Sequence, residues 1–231
     1  MCGRYAQFRS VEAIRAVFGT TGPLPNLAPN WNVSPSQMAP VVRRHPETGE
    51  RHLDALRWGL LPHWARDPKS VRQPINARAE TVATAPTFRD AFARRRCIVP
   101  VDAFYEWKQA PGGKRPHAIA ARDGEMLGLA GLWEGWRGEG GEVIRSFAII
   151  TANANATLRA LHDRMPVILP PDAWTAWLEG DQPAELLRPA PDDLLRFWPV
   201  STAVNSPRNN GPELLEEVPP PAVPAGGPNP A

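Results

Sequence analysis

Proline is the residue that most limits what this chain can become. There are 28 in 231 residues, more than twice the usual share of ~5%. They punctuate the whole length, as in GPLPNLAPNWNVSPSQ at 22–37. A proline inside a helix removes a hydrogen bond and clashes with the preceding turn, so helices must be few and short. Residues 10–18, SVEAIRAVF, predict one, with Ser10 as N-cap. Residues 87–95, starting at Thr87, predict a second, and residues 171–178, opened by Pro171 and Asp172, a third. Short apolar runs bounded by Gly or Pro read as strands: APVVRR, CIVPVDAFYEW, HAIAAR, LGLAGLW and RSFAIIT. Strands outnumber helices and no regular βαβ alternation appears. The expected fold is therefore α+β: a β-rich single domain with an antiparallel, barrel-like sheet core and a few short helices.

All 26 Lys and Arg lie before residue 211, whereas Glu213, Glu216 and Glu217 follow it. Residues 1–210 thus set 26 cations against 21 acids, mildly basic and compatible with a nucleic-acid groove. Residues 211–231 are acidic, then proline-rich, and are expected to be a disordered tail outside a domain spanning 1–210. No run approaches the ~20 apolar residues of a membrane helix. MCGRYAQFRS has no apolar stretch of the kind a secretion signal carries. The expected location is the bacterial cytoplasm. Two cysteines, Cys2 and Cys97, build neither a disulfide framework nor a four-ligand zinc site.

Cys2 stands directly behind the initiator methionine. Removal of Met1 makes it an N-terminal aminothiol, with an α-amine of pKa ~7.7–8.0 beside a thiol near ~8.5. Such an amine condenses with an aldehyde to an imine, and the thiol then closes on the imine carbon to give a thiazolidine. Neither a lysine nor an internal cysteine can do both. Alternatively, Cys2 is only a small residue following a start codon, or a nucleophile of the thiol-hydrolase kind with a distant histidine.

Three stretches hold candidate partners. In QPINARAET, Asn76 offers a neutral donor and acceptor and Arg78 a fork suited to phosphate; a turn with a surface ion pair would look the same. In DAFYEWK, Glu106 lies between Tyr105 and Trp107. It is either a general acid–base among aromatics or the outward member of a strand. In ALHDRMPVIL, His162 is either a proton carrier near neutrality or a capping or core residue.

Taken in order, MCGRY, WGLLPHW, NARAET, RRRCIVPVDAFYEW, LAGLW, HDRMPVIL and VSTAVN resemble the SOS-response-associated peptidase family, whose members are also called abasic-site processing proteins. The resemblance spans about residues 2–205. Departures are Ala103 where Gly is expected, and Trp31 and Ser34 in a segment commonly written with other residues. The resemblance implies recognition of abasic sites in single-stranded DNA and covalent linkage through Cys2. On the same ground Asn76 orients the sugar or the amine. Glu106 manages protons during ring opening and imine formation, while His162 protonates the sugar oxygen and supports reversal. Arg4 and Arg78 are the expected phosphate ligands, with Trp64 and Pro40 as weaker candidates for wedges or stacking surfaces. Neither metal nor organic cofactor is expected, and the protein is expected to be a monomer associated with the nucleoid. The competing readings are a thiol peptidase with Cys2, His162 and Glu106, extending to self-cleavage of Met1, and a non-covalent single-strand-binding module.

Overall fold

The strand that begins the central sheet also ends it. In the computed structural model, which describes residues 2–110 and 112–219, β3 (Met38–Arg44) pairs with β4 (Arg51–Trp58) and with β6 (Arg96–Val101). β6 pairs with β9 (Leu127–Arg137), β9 with β10 (Val143–Asn153), and β10 returns to β4. The result is a closed five-stranded barrel, antiparallel throughout except at β4–β10. Closure leaves no long edge of unpaired backbone groups.

Three short strands extend it. β5 (Asn76–Arg78) runs parallel to β10, β11 (Arg164–Pro166) antiparallel to β10, and β12 (Ile168–Leu169) antiparallel to β9. A second, wholly antiparallel sheet is ordered β13 (Leu195–Pro199), β8 (Gly113–Ala121), β7 (Ala103–Ala110), β1 (Tyr5–Gln7) and β2 (Asn30–Val33).

Alternation along β10 explains why RSFAIIT is a continuous apolar run. Phe147 and Ile149 enter a core shared with the second sheet, where Tyr5, Phe104, Ile119 and Leu195 meet Val41, Trp58 and Val99. Ala148 and Ile150 join an outer core with residues of the helices α1 (Val11–Phe18), α2 (Arg89–Arg94) and α3 (Trp174–Glu179). Both faces of the barrel wall are covered, and a strand buried on both faces loses its polar alternation.

The helices follow the sequence expectation with one shift. Ser10 caps α1, its side chain accepting from Ala13 N–H at 3.3 Å. α2 starts at Arg89 with no side-chain cap, so Thr87 does not begin it. Pro171–Ala173 form a 3₁₀ turn that leads into α3.

CIVPVDAFYEW is not one strand. It breaks at Asp102 into β6 and β7, which belong to different sheets. The buried Asp102 carboxylate accepts from the backbone N–H of Phe8 (2.7 Å) and Arg9 (3.1 Å) and pairs with the Arg9 side chain. These bonds fix the corner where the chain changes sheets.

The arginine run before Cys97 is largely structural. Arg95 pairs with the buried Glu134 at 2.7 Å. Arg96 is buried and donates to the carbonyls of Phe92, Trp177 and Gly180, tying β6 to two helix ends. Cys97 is buried in β6. The first part of the expected tail is packed: Leu214 is fully buried, and Trp198 Nε1 donates to Leu215 O at 2.8 Å. The remainder, 220–231, lies outside the described residues. Among the described residues no helix is long and apolar enough to cross a membrane.

Candidate active site

Cys2 lies just ahead of β1 and is fully buried in the core between the sheet and the barrel. Its carbonyl oxygen accepts a hydrogen bond from Asn76 Nδ2 at 2.9 Å. Strand alternation explains why Asn76 is available. Ala77 packs into the outer core, so Asn76 and Arg78 point to the opposite face of β5. Asn76 Oδ1 is buried without a hydrogen-bond partner among the described residues.

Glu106 is brought in by β7. Phe104, two residues earlier, faces the barrel core, while Tyr105 faces away and donates its hydroxyl to Trp31 O at 2.8 Å. Glu106 shares the Phe104 side and is 5% exposed. It is therefore an inward carboxylate, not the outward member of the alternation. Burial pushes the Cys2 thiol well above its ordinary pKa, and the negative charge of Glu106 pushes it further. Cys2, Asn76 and Glu106 thus form one constellation.

Two residues that the motifs did not single out also belong to this neighbourhood. Tyr5 packs its ring 5.0 Å from Trp58, and its hydroxyl is raised by burial and then by Cys2 and Cys97. His117 stands directly opposite Glu106 in the β7–β8 register. Only the pairing register could have revealed His117.

His162 follows a 3₁₀ turn at Leu158–Ala160 and donates its backbone N–H to Leu158 O at 3.0 Å. Its Nδ1 accepts from Arg164 N–H at 2.9 Å and lies 2.7 Å from Asp163 Oδ1. Leu158, Leu161 and Met165 share the buried core that contains Cys2. The histidine turn is therefore anchored on the Cys2 core, although no hydrogen bond joins His162 to Cys2 or Asn76 among the described residues.

The other expected contacts differ in availability. Arg78 is exposed. Trp64 is 51% exposed, unusual for a residue so large and apolar. Arg4 is half-buried and commits Nη1 to Asn32 Oδ1 (2.8 Å) and Val204 O (2.9 Å). Pro40 is buried within β3 and presents no surface on which a base could stack. Among the described residues no group of three or more His, Cys, Asp or Glu gathers as metal ligands. A cavity of about 850 Å³ is lined by Leu127, Ile168, Trp174 and Ala190, and none of Cys2, Asn76 and Glu106 lines it.

The chain matches the family model for SOS response associated peptidase (SRAP) over residues 1–207. It is 39% identical over 224 residues to the abasic site processing protein YoqW of Bacillus subtilis, covering 94% of this chain and 99% of that one. To the abasic site processing protein HMCES of Xenopus tropicalis it is 33% identical over 222 residues, covering 82% of this chain and 66% of the other. Its fold is similar to that of a crystallographically solved protein from Bacteroides thetaiotaomicron, with a TM-score of 0.85 and 24% identity over 94% of this chain and 100% of that one.

Proposed function

Because the chain belongs to the SOS response associated peptidase family, we propose that it recognises abasic sites in single-stranded DNA during the DNA damage response and captures them through Cys2. Once Met1 is removed by hydrolysis, the Cys2 amine attacks the aldehyde carbon of the ring-opened abasic sugar. The adduct loses water to give an imine. The thiol then adds across the C=N bond: sulfur bonds to carbon and the nitrogen gains a proton, closing a thiazolidine. One water leaves and nothing is oxidised or reduced.

The hydrogen bond from Asn76 to the Cys2 carbonyl carries this reading, with Glu106 close enough to act on the thiol. Asn76 holds the residue by its backbone, leaving both amine and thiol free to react. Glu106 takes the thiol proton as sulfur attacks and passes it towards nitrogen. His162 protonates the sugar ring oxygen on opening and serves the reverse reaction. Arg78 and the remaining nitrogens of Arg4 take phosphates flanking the lesion, and Trp64 offers a face for a neighbouring base. An abasic nucleotide has no base to unpair or unstack, so a single strand yields its sugar to a buried site at little cost.

No hydrogen bond joins the Cys2 thiol to a histidine or a cationic side chain among the described residues, which sets the site apart from that of a thiol peptidase. Such an enzyme needs a thiolate, which a nearby cation or histidine stabilises. Here burial and Glu106 both favour the protonated thiol. Imine formation begins at the amine and needs no thiolate at that step.

A denaturing gel tests the proposal. Wild-type protein mixed with an oligonucleotide bearing one abasic site should give a band that survives boiling in SDS, and Cys2→Ala should give none. A protein that cleaves peptides without giving this band would be a peptidase. A protein that shifts DNA only in a native gel would be a binding module.

A further inference from the structure

Arg164 is a buried cation whose guanidinium partners lie on β10 and beyond its far edge. Nη1 reaches Glu80 Oε1 at 2.5 Å and Asn153 Oδ1 at 2.9 Å; Nη2 reaches Glu80 Oε2 at 2.9 Å and Thr151 O at 2.6 Å. Two parallel bonds between guanidinium and carboxylate fix orientation as well as distance. Glu80 follows β5, the strand of Asn76 and Arg78. Arg164 opens β11, two residues after His162. Thr151 of β10 pairs with Arg78 on one edge and Pro166 on the other. The Arg164 side chain therefore crosses β10 to hold the strand on its far edge.

β5 and β11 are three residues each, too short to set their own register firmly. One carries Asn76, which holds Cys2; the other is entered from His162. The Arg164 backbone also donates its N–H to His162 Nδ1. A continuous set of bonds thus runs from the Glu80 carboxylate through the Arg164 guanidinium and main chain to the imidazole. Asp163 Oδ1, 2.7 Å from the same Nδ1, competes for it, because an Nδ1–H tautomer donates to Asp163 and cannot accept from Arg164.

We propose that the Glu80–Arg164 pair is a positioning clasp: it registers the strand bearing Asn76 with the turn bearing His162, and keeps His162 Nδ1 an acceptor with the ring proton on Nε2. The catalytic consequence rests on the capture reaction proposed above. The ring geometry does not.

Long-range ¹H–¹⁵N spectra of the labelled full chain should show Nδ1 bare and Nε2 protonated in wild type. Glu80→Gln should give a mixture of tautomers and slow crosslinking about tenfold, the loss expected when one charge-assisted hydrogen bond is weakened. In a His162→Ala background Glu80→Gln should cost clearly less than in wild type, the part that passes through His162 being lost and the part that passes through the Asn76 strand remaining. Glu80→Asp, which keeps the charge, should recover part of the rate, and its spectrum decides the case if Glu80→Gln does not fold. Affinity for undamaged single strands should not change. An equal loss in both backgrounds, an unaltered tautomer, or a fall in DNA affinity in place of the rate effect overturns the clasp. Wild-type protein that captures no abasic DNA overturns the proposed function instead, and the spectra still judge the clasp.

Discussion

Asn76 holds Cys2 by its main chain and not by its sulfur: Nδ2 donates to the Cys2 carbonyl at 2.9 Å. The bond reaches across 74 residues of sequence, from the strand on the β10 edge to the segment that precedes β1. It engages neither the amine nor the thiol through which capture is proposed. Asn76→Ala should therefore slow capture about tenfold while costing only about 1 kcal/mol of stability, the usual net worth of a neutral hydrogen bond. Crosslinking time courses and urea unfolding measure the two quantities; an undiminished rate would remove Asn76 from the site.

Trp64 and Arg78 should separate stacking from charge. Trp64 is half exposed, so Trp64→Ala should change stability by less than about 0.5 kcal/mol. It should weaken single-strand binding by about 1–3 kcal/mol whatever the sequence. Arg78→Gln should reduce the salt dependence of binding by about one phosphate contact. Fluorescence titrations at several salt concentrations give both values, and a Trp64→Ala protein that binds as tightly as wild type counts against the stacking role.

Asn32 should matter more for folding than its small size suggests. It is buried, accepts from Arg4 Nη1 at 2.8 Å and donates to the carbonyls of Ser206 and Asn209 at 2.9 Å each. Asn32→Ala leaves a half-buried cation short of a partner and two carbonyls short of a donor. The expected loss is about 2–4 kcal/mol in urea unfolding. A loss below 1 kcal/mol would mean that these groups find water without difficulty.

The buried thiols should make stability fall on the alkaline side. Burial raises Cys97 well above the ordinary thiol value, as it does Cys2. The folded state therefore favours the proton. Its advantage is complete below the unfolded thiol pKa of ~8.5 and is lost as pH rises from there towards the raised folded value. Each such group contributes up to about 1.4 kcal/mol per pH unit in that window. The midpoint of urea unfolding should fall between pH 8.5 and 10, and Cys97→Ala should make that fall shallower. Identical slopes would show that the thiol is not the titrating group.

Much of this was legible in the chain. Proline spacing limited the helices, apolar runs marked five barrel and sheet segments, and the motif series picked out Cys2, Asn76, Glu106 and His162. What the chain concealed depends on pairing between distant segments. Nothing local says that β10 returns to β4 and closes the barrel, or that CIVPVDAFYEW turns at Asp102 into a second sheet. β4, RHLDALRW, does not read as a strand because its charged residues mask a wall strand. The family resemblance makes Pro40 a candidate wedge, but in β3 it is buried. Glu80 and Arg164 lie in two quoted motifs 84 residues apart, and only the fold shows that they meet.

The central claim is that a free Cys2 at the mature N-terminus closes a ring on an abasic sugar. Mass spectrometry of a protease- and nuclease-digested conjugate tests it directly. The expected product is a peptide beginning at Cys2, without Met1, carrying the sugar remnant minus one water. A remnant on any other residue, or on a peptide that still begins with Met1, would contradict it.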